Sequence, residues 1–211
     1  KNIAKILDKY CDIVLVGDSV ANVLYGLNNT HKVNLENMIQ HTASVRKGIK
    51  KSLLVVDMPK GSYGNLKLAR KNAKLLMKKT DCDAVKIESN KKNFRIIKFL
   101  VKHKIPVMGH IGFTPQFKKK FKIEGDSKKK AENLLEEAKN IEKAGAFSIV
   151  LECINSEASK LITNSLKIPT IGIGSSNNCD GQILVTDDML GISGFYPKFV
   201  KKYLSLDRII E

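Results

Sequence analysis

The chain has 211 residues, enough for one domain with a full core, and its 43% hydrophobic and 27% charged content excludes wholesale disorder, collagen-like repeats and a disulfide-rich miniprotein. The net charge of +16 invites a nucleic-acid reading, but only Arg46, Arg70, Arg95 and Arg208 among the 37 basic residues carry the bidentate guanidinium that base and phosphate readers favour. The scattered lysines read as solvated helix surface, so no specific nucleic acid is expected as a partner.

No apolar run approaches the roughly 20 residues of a membrane span, and residues 1–10 lack the apolar centre of a secretory signal. A cytoplasmic protein with no membrane partner is expected. Cys11, Cys82, Cys153 and Cys179 are irregularly spaced and suggest neither a zinc site nor a disulfide framework.

Along the chain, a helical stretch over 1–9 is followed by an apolar strand at 12–17, and then a helix over 34–46 that opens on Asn34 and stops at Gly48. A strand at 52–58 precedes a helix over 65–79 whose Leu66, Ala69, Ala73, Leu76 and Met77 form one stripe. Next come a strand at 84–88, a helix over 90–103 and a strand at 106–111. A longer loop at 112–125 alternates Lys with Phe and suggests a small hairpin or lid. Ser127 caps a helix running to Ala144 before Gly145, a strand follows at 148–153, and Asn155 or Ser156 caps a helix ending near Lys167. Strands at 169–174 and 182–185 complete the set.

Most of these strands are continuous Val, Ile and Leu, the mark of parallel strands covered on both faces, and their alternation with helices selects an α/β fold. Polar residues recur at the C-terminal ends of several strands: Asp18 and Ser19, Asp57, Glu88, His110 and Glu152. An open doubly wound sheet gathers its site at one switch point, whereas a (β/α)8 TIM-type barrel collects side chains from many strand ends. The expectation is therefore a single barrel domain over 1–211, with seven strands read and the first strand missing.

In Val85-Lys86-Ile87-Glu88 the period of two puts Lys86 and Glu88 on one face. Asp18 and Asp57 leave neighbouring strands at the same end, where carboxylates so close repel unless a cation or shared protons hold them. An oxygen-only ligand set with no Cys or His cluster favours Mg2+ or Mn2+ and leaves positions open for a chelating 2-oxo acid. Such an ion stabilises an enolate, and Glu152, ending a nearly continuous apolar run, is the base that removes the proton. Lys86 would neutralise a substrate carboxylate or the developing oxyanion. Taken singly, Asp18 and Asp57 also suit turn or cap positions, and His110 suits a satisfied core imidazole. Recurrence at equivalent strand ends is what marks a site.

Six blocks then occur in order: residues 14–19 (VLVGDS), 41–48 (HTASVRKG), 85–88 (VKIE), 109–116 (GHIGFTPQ), 151–153 (LEC) and 171–174 (IGIG) with 180–185 (DGQILV). Together they resemble the ketopantoate hydroxymethyltransferase family from about residue 3 to about residue 204. The resemblance implies a phosphoenolpyruvate-mutase-like barrel that transfers a hydroxymethyl group from 5,10-methylenetetrahydrofolate to 2-oxoisovalerate in pantothenate synthesis. It implies Asp18 and Asp57 as Mg2+ ligands, with Glu88 beside the ion directly or through water. It further implies Asp18, Ser19, Asp57 and Lys86 as contacts to the 2-oxo acid, Glu152 as proton acceptor, and a homo-oligomer, usually a decamer; His110, from its place near the end of its strand, is expected to line the site. The chain departs from the family at Pro59-Lys60, at 119–123 (KKFKI) and at Gly174-Ser175-Ser176, and it lacks the family's first strand and C-terminal extension. Two rival readings share the fold: another Mg2+-dependent 2-oxo acid carbon-carbon lyase, and an inactive basic nucleic-acid-binding barrel.

Overall fold

The computed structural model describes every residue except 91, 92, 119, 195 and 211. Seven parallel strands pair in the order in which the chain makes them: β1 (Ile13–Val16), β2 (Leu53–Asp57), β3 (Ala84–Glu88), β4 (Val107–Gly112), β5 (Ser148–Glu152), β6 (Thr170–Ile173) and β7 (Gly181–Gln182). An order without reversal winds the chain one way round and creates no switch point, as in a barrel.

The alternation of side chains divides the core in two. On the inner face Val55, Ala84, Met108, Val150 and Ile171 form one buried cluster with Ile13, Leu15 and Ile173, so six strands contribute to a common interior. The outer face sends Leu54, Val56, Val85, Ile87, Val107, Ile111, Ile149 and Leu151 into a second, larger cluster with the helices. The sheet is thus curled into the barrel architecture, with seven consecutive places occupied by described strands and β1 and β7 at its edges.

The crossover helices follow the sequence pattern. α1 (Asn2–Leu7) opens the chain, and Asp8 after it accepts from the backbone N–H groups of Lys51 and Ser52 at 2.8 and 2.9 Å, tying it to the start of β2. α2 (Val20–Val23) and a 3-10 turn (Thr30–Lys32) lead to α3 (Leu35–Arg46), which Asn34 and Asn37 close with a reciprocal capping box. α4 (Leu66–Thr80) is capped by Asn65 and buries Ala69, Ala73 and Leu76, while Leu66 of the expected stripe stays exposed in its first turn. α5 (Phe94–Lys102) buries Ile96, Ile97 and Leu100. α6 (Lys128–Lys143) packs so tightly on β4 that a Cβ at Gly109 would lie 2.5 Å from a methyl of Ile141. α7 (Ser156–Ser165) is capped by Asn155, whose side chain accepts from Glu157 N. Short helices α8 (Thr186–Leu190) and α9 (Asp207–Ile210) end the chain.

Four local expectations change. The fifth helix begins at Phe94 and not at Asn90, because the Asn93 side chain donates to Glu88 O at 2.8 Å instead of starting a helix earlier. The last strand is Gly181–Gln182 and not 182–185, since its pairing with β6 extends only over Ile171 with Gly181 and Gly172 with Gln182. Ser127 stands at the start of α6 with extended backbone, but its hydroxyl makes no capping bond. In the 112–125 loop the described residues form no hairpin: Phe121 stacks on Phe113 at 4.2 Å and Glu124 bridges to Ile154, while Lys119 lies outside the described residues. No helix among the described residues is long and apolar enough to cross a membrane.

Candidate active site

The inner face carries apolar side chains along most of its height and turns polar at the C-terminal ends of the strands. The register places Asp57 beside Lys86, Glu88 beside His110, and Glu152 beside Gly112. Because each residue occupies an inward position, five polar side chains from β2, β3, β4 and β5 meet in one space. All are buried or nearly so, with Glu88 only 1% exposed and the Glu152 side chain 13%.

A continuous line of contacts runs through them. Lys86 Nζ lies 2.8 Å from Asp57 Oδ1 and 3.2 Å from His110 Nδ1, and His110 Nε2 lies 3.0 Å from Glu152 Oε2. Burial opposes charge on Lys86, but Asp57, Glu88 and Asp18 outweigh it and hold the ammonium above its usual range. Burial and the Lys86 charge together push the His110 imidazole well below its ordinary value, so it is neutral. A lysine ammonium can only donate, so Nδ1 of the neutral ring accepts from Lys86 and the ring proton is assigned to Nε2, which lies 3.0 Å from Glu152 Oε2 without hydrogen-bond geometry. Glu152 itself is pushed up to about 8, chiefly by burial, against the opposing pull of Lys86.

Asp18 joins from the turn after β1. Its backbone N–H donates to Asp57 Oδ2 at 2.9 Å, which brings the two carboxylates side by side. Burial first, then the Asp57 charge, raises the Asp18 carboxyl to about 7. Glu88 is raised well above the carboxylate range by burial, with Lys86 pulling the other way. Ser19 is half-buried at the start of α2, and its hydroxyl makes no capping bond there.

The backbone around Glu152 is held on three sides. Gly112 has φ of +94°, and a Cβ there would lie 2.1 Å from Glu152 O, so only glycine lets β4 end this close to β5. Phe113 N donates to the same carbonyl at 2.8 Å. Ser175, one of the departures from the family pattern, donates to Leu151 O at 2.7 Å and accepts from Ile154 N at 3.0 Å, bracing the chain on both sides of Glu152. Lys60, another departure, sits exposed with its ammonium 3.2 Å from His31 Nε2.

Two site residues escape the reading of strand ends. Gln116, 1% exposed, donates from Nε2 to Asp18 Oδ2 at 2.8 Å and to Met58 O at 3.0 Å, and its backbone N–H donates to Glu88 Oε2 at 2.9 Å. Tyr63 donates its hydroxyl to Gln116 Oε1, and burial together with Glu88, Asp18 and Asp57 keeps that phenol protonated. Both sit on loops, where no periodicity marks an inward side chain.

Among the described residues no group of three or more His, Cys, Asp or Glu side chains forms a ready ion cage. Asp57 Oδ1 already faces Lys86, and one Glu88 oxygen is taken by Gln116. The donor chemistry nonetheless suits a hard divalent ion that keeps much of its water: two adjacent buried carboxyls, Asp18 and Asp57, repel each other at neutral pH and would be relieved by a cation.

Comparison with known proteins matches the sequence to one family. The family model described as ketopantoate hydroxymethyltransferase matches residues 1–211. The chain is 52% identical to a 3-methyl-2-oxobutanoate hydroxymethyltransferase of Pelagibacter ubique (strain HTCC1062), covering all of this chain and 82% of that protein. A protein of the same description from Clostridioides difficile (strain 630) is 48% identical over all of this chain and 78% of its own length. Among solved structures, a protein of the lyase/mutase type from Burkholderia cenocepacia J2315 superposes with a TM-score of 0.64 at 12% identity, over 98% of this chain and 75% of that one. 2,3-Dimethylmalate lyase, a member of the PEP mutase/isocitrate lyase superfamily, gives 0.58 at 16% identity over 80% and 62%. These two share the fold, while the sequence matches fix the lineage: the chain belongs to the ketopantoate hydroxymethyltransferase family, a family of transferases.

Proposed function

We propose that this enzyme transfers a hydroxymethyl group from 5,10-methylenetetrahydrofolate to 3-methyl-2-oxobutanoate, forming ketopantoate for pantothenate synthesis. The observation that carries the chemistry is the line of close contacts from Asp57 through Lys86 and His110 to Glu152, in which one imidazole separates a fixed cation from a carboxyl of raised pKa.

In this reading Asp18 and Asp57 hold Mg2+, with Glu88 beside it directly or through water. When bound, the ion supplies Lewis-acid polarisation of the 2-oxo acid. Asp18, Ser19 and Asp57 contact that substrate, and Lys86, kept charged by its acidic neighbours, faces its negative oxygens. Glu152 takes the proton from C3; a pKa of about 8 makes it a far stronger base than an exposed carboxylate while leaving part of it ionised at neutral pH. His110 lies between Lys86 and Glu152, with Nε2 3.0 Å from one Glu152 oxygen. C3, relieved of its proton, bonds to the methylene carbon of the folate as that carbon's bonds to N5 and N10 break; a water supplies the hydroxyl oxygen, and the C3 proton and one proton of that water end on the two nitrogens of the tetrahydrofolate released. A cytoplasmic homo-oligomer, a decamer by family resemblance, completes the proposal.

The test is product formation. The protein supplied with 3-methyl-2-oxobutanoate, methylenetetrahydrofolate and Mg2+ is expected to yield ketopantoate, detected by NMR, and to stop when EDTA is added. A different carbon-carbon product would favour the related lyase reading. No product, together with nucleic-acid binding that survives moderate salt, would favour the basic binding barrel.

A further inference from the structure

We infer that Gln116 is a positioning residue for the acidic pair, its side-chain amide gripping Asp18 and its backbone N–H gripping Glu88, and that these two contacts fix which oxygens the carboxylates leave free for a divalent cation. The inference rests on the proposed metal-dependent reading and adds to it a residue outside the strand-end set.

The geometry is specific. Gln116 lies on the loop after β4, yet reaches back across the mouth of the barrel to the ends of β1, β2 and β3. Both Nε2 hydrogens are committed, one to Asp18 Oδ2 at 2.8 Å and one to Met58 O at 3.0 Å. Oε1 accepts from the Tyr63 hydroxyl, and the backbone N–H holds Glu88 Oε2 at 2.9 Å. Every polar atom of the side chain and the backbone N–H are therefore used, at 1% exposure. The amide has one permitted orientation: turned over, Oε1 would face the Asp18 carboxylate and the Met58 carbonyl, while the amide nitrogen would meet the Tyr63 hydroxyl. A carboxylate here would add a further negative charge beside Asp18, Asp57 and Glu88; an apolar residue would leave Asp18 Oδ2, Met58 O and the Tyr63 hydroxyl unpaired. Gln alone among residues of this length donates twice and accepts from Tyr63.

Asp18 is then gripped through Oδ2, with its carboxylate plane set, and Glu88 through Oε2. Groups that orient metal-binding carboxylates in this way typically control affinity by about 10- to 100-fold.

The experiment measures binding of Mn2+ alone, by titration calorimetry and by electron paramagnetic resonance, to the unsubstituted protein, to Gln116→Leu and to Tyr63→Phe, with thermal melting of each. Gln116→Leu keeps the backbone contact to Glu88 and removes the side-chain grip. It is expected to weaken Mn2+ by about 10- to 100-fold while remaining folded, and Tyr63→Phe, which frees only Oε1, to weaken it several-fold. In turnover the Gln116→Leu defect is expected as a raised KM for the 2-oxo acid that saturating metal partly restores. Should Gln116→Leu fail to fold, Tyr63→Phe carries the test. Mn2+ affinity equal to the unsubstituted protein in a folded Gln116→Leu, or in Tyr63→Phe where it stands alone, overturns the inference and leaves the proposed reaction standing. Absence of Mn2+ binding in the unsubstituted protein removes both.

Discussion

His110 Nε2 stands 3.0 Å from Glu152 Oε2, and on its other side the same ring accepts from Lys86. The imidazole thus separates a permanent positive charge from the carboxyl that must move a proton. Direct pairing with Lys86 would hold Glu152 ionised and weakly basic; one ring's distance weakens that pull enough for burial to prevail.

A pH profile follows from that arrangement. Burial disfavours the Glu152 carboxylate and raises its pKa to about 8, and a general base acts only when deprotonated. Accordingly kcat/KM is expected to climb with pH, inflect near 8 and level off above it. A rate independent of pH across roughly 6 to 9 would argue against Glu152 as the titrating base.

Asp57 carries two loads, the Asp18 backbone N–H and the Lys86 ammonium. Asp57→Ala is expected to weaken Mg2+ and the 2-oxo acid together, since the substrate chelates the ion. It also strands a buried lysine, and breaking a buried pair costs on the order of 3–5 kcal/mol, so Tm falls as well. Calorimetric titration that finds unchanged Mg2+ affinity would take Asp57 out of the ion's coordination.

Gly112→Ala tests the close approach of β4 to β5. The left-handed backbone alone costs about 1–2 kcal/mol for a residue with a Cβ. The added carbon would also meet Glu152 O at 2.1 Å and push the base out of line. Expected are a lowered Tm and, at a temperature where the variant is fully folded, a kcat reduced well beyond the change in KM. A folded variant with normal kcat would show that Glu152 tolerates displacement.

The strand-borne half of the site was legible because alternation fixes direction: once 85–88 is a strand, Lys86 and Glu88 must point the same way, and the parallel register delivers Asp57, His110 and Glu152 to the same face. The continuous apolar runs likewise disclosed buried parallel strands. What sequence left hidden sits on loops. Gln116 and Tyr63 reach the carboxylates only because the chain after β4 and β2 folds back over the barrel mouth, and nothing in their spacing records that return. Asn93 looked like part of a helix but serves the carbonyl of Glu88. The His110 contacts on both ring nitrogens were also out of reach, since a lone histidine has no periodicity to place its two sides.

Hydrogen exchange at C3 of 3-methyl-2-oxobutanoate isolates proton removal from the folate half of the reaction. In deuterated water with Mg2+ and without folate, the unsubstituted protein is expected to replace the C3 proton, as followed by NMR. Glu152→Gln is expected to bind the acid normally and exchange it at least about 100-fold more slowly, the usual scale for a lost general base. Exchange at an undiminished rate in Glu152→Gln, or none in the unsubstituted protein, would contradict the assignment of this carboxyl as the group that takes the proton.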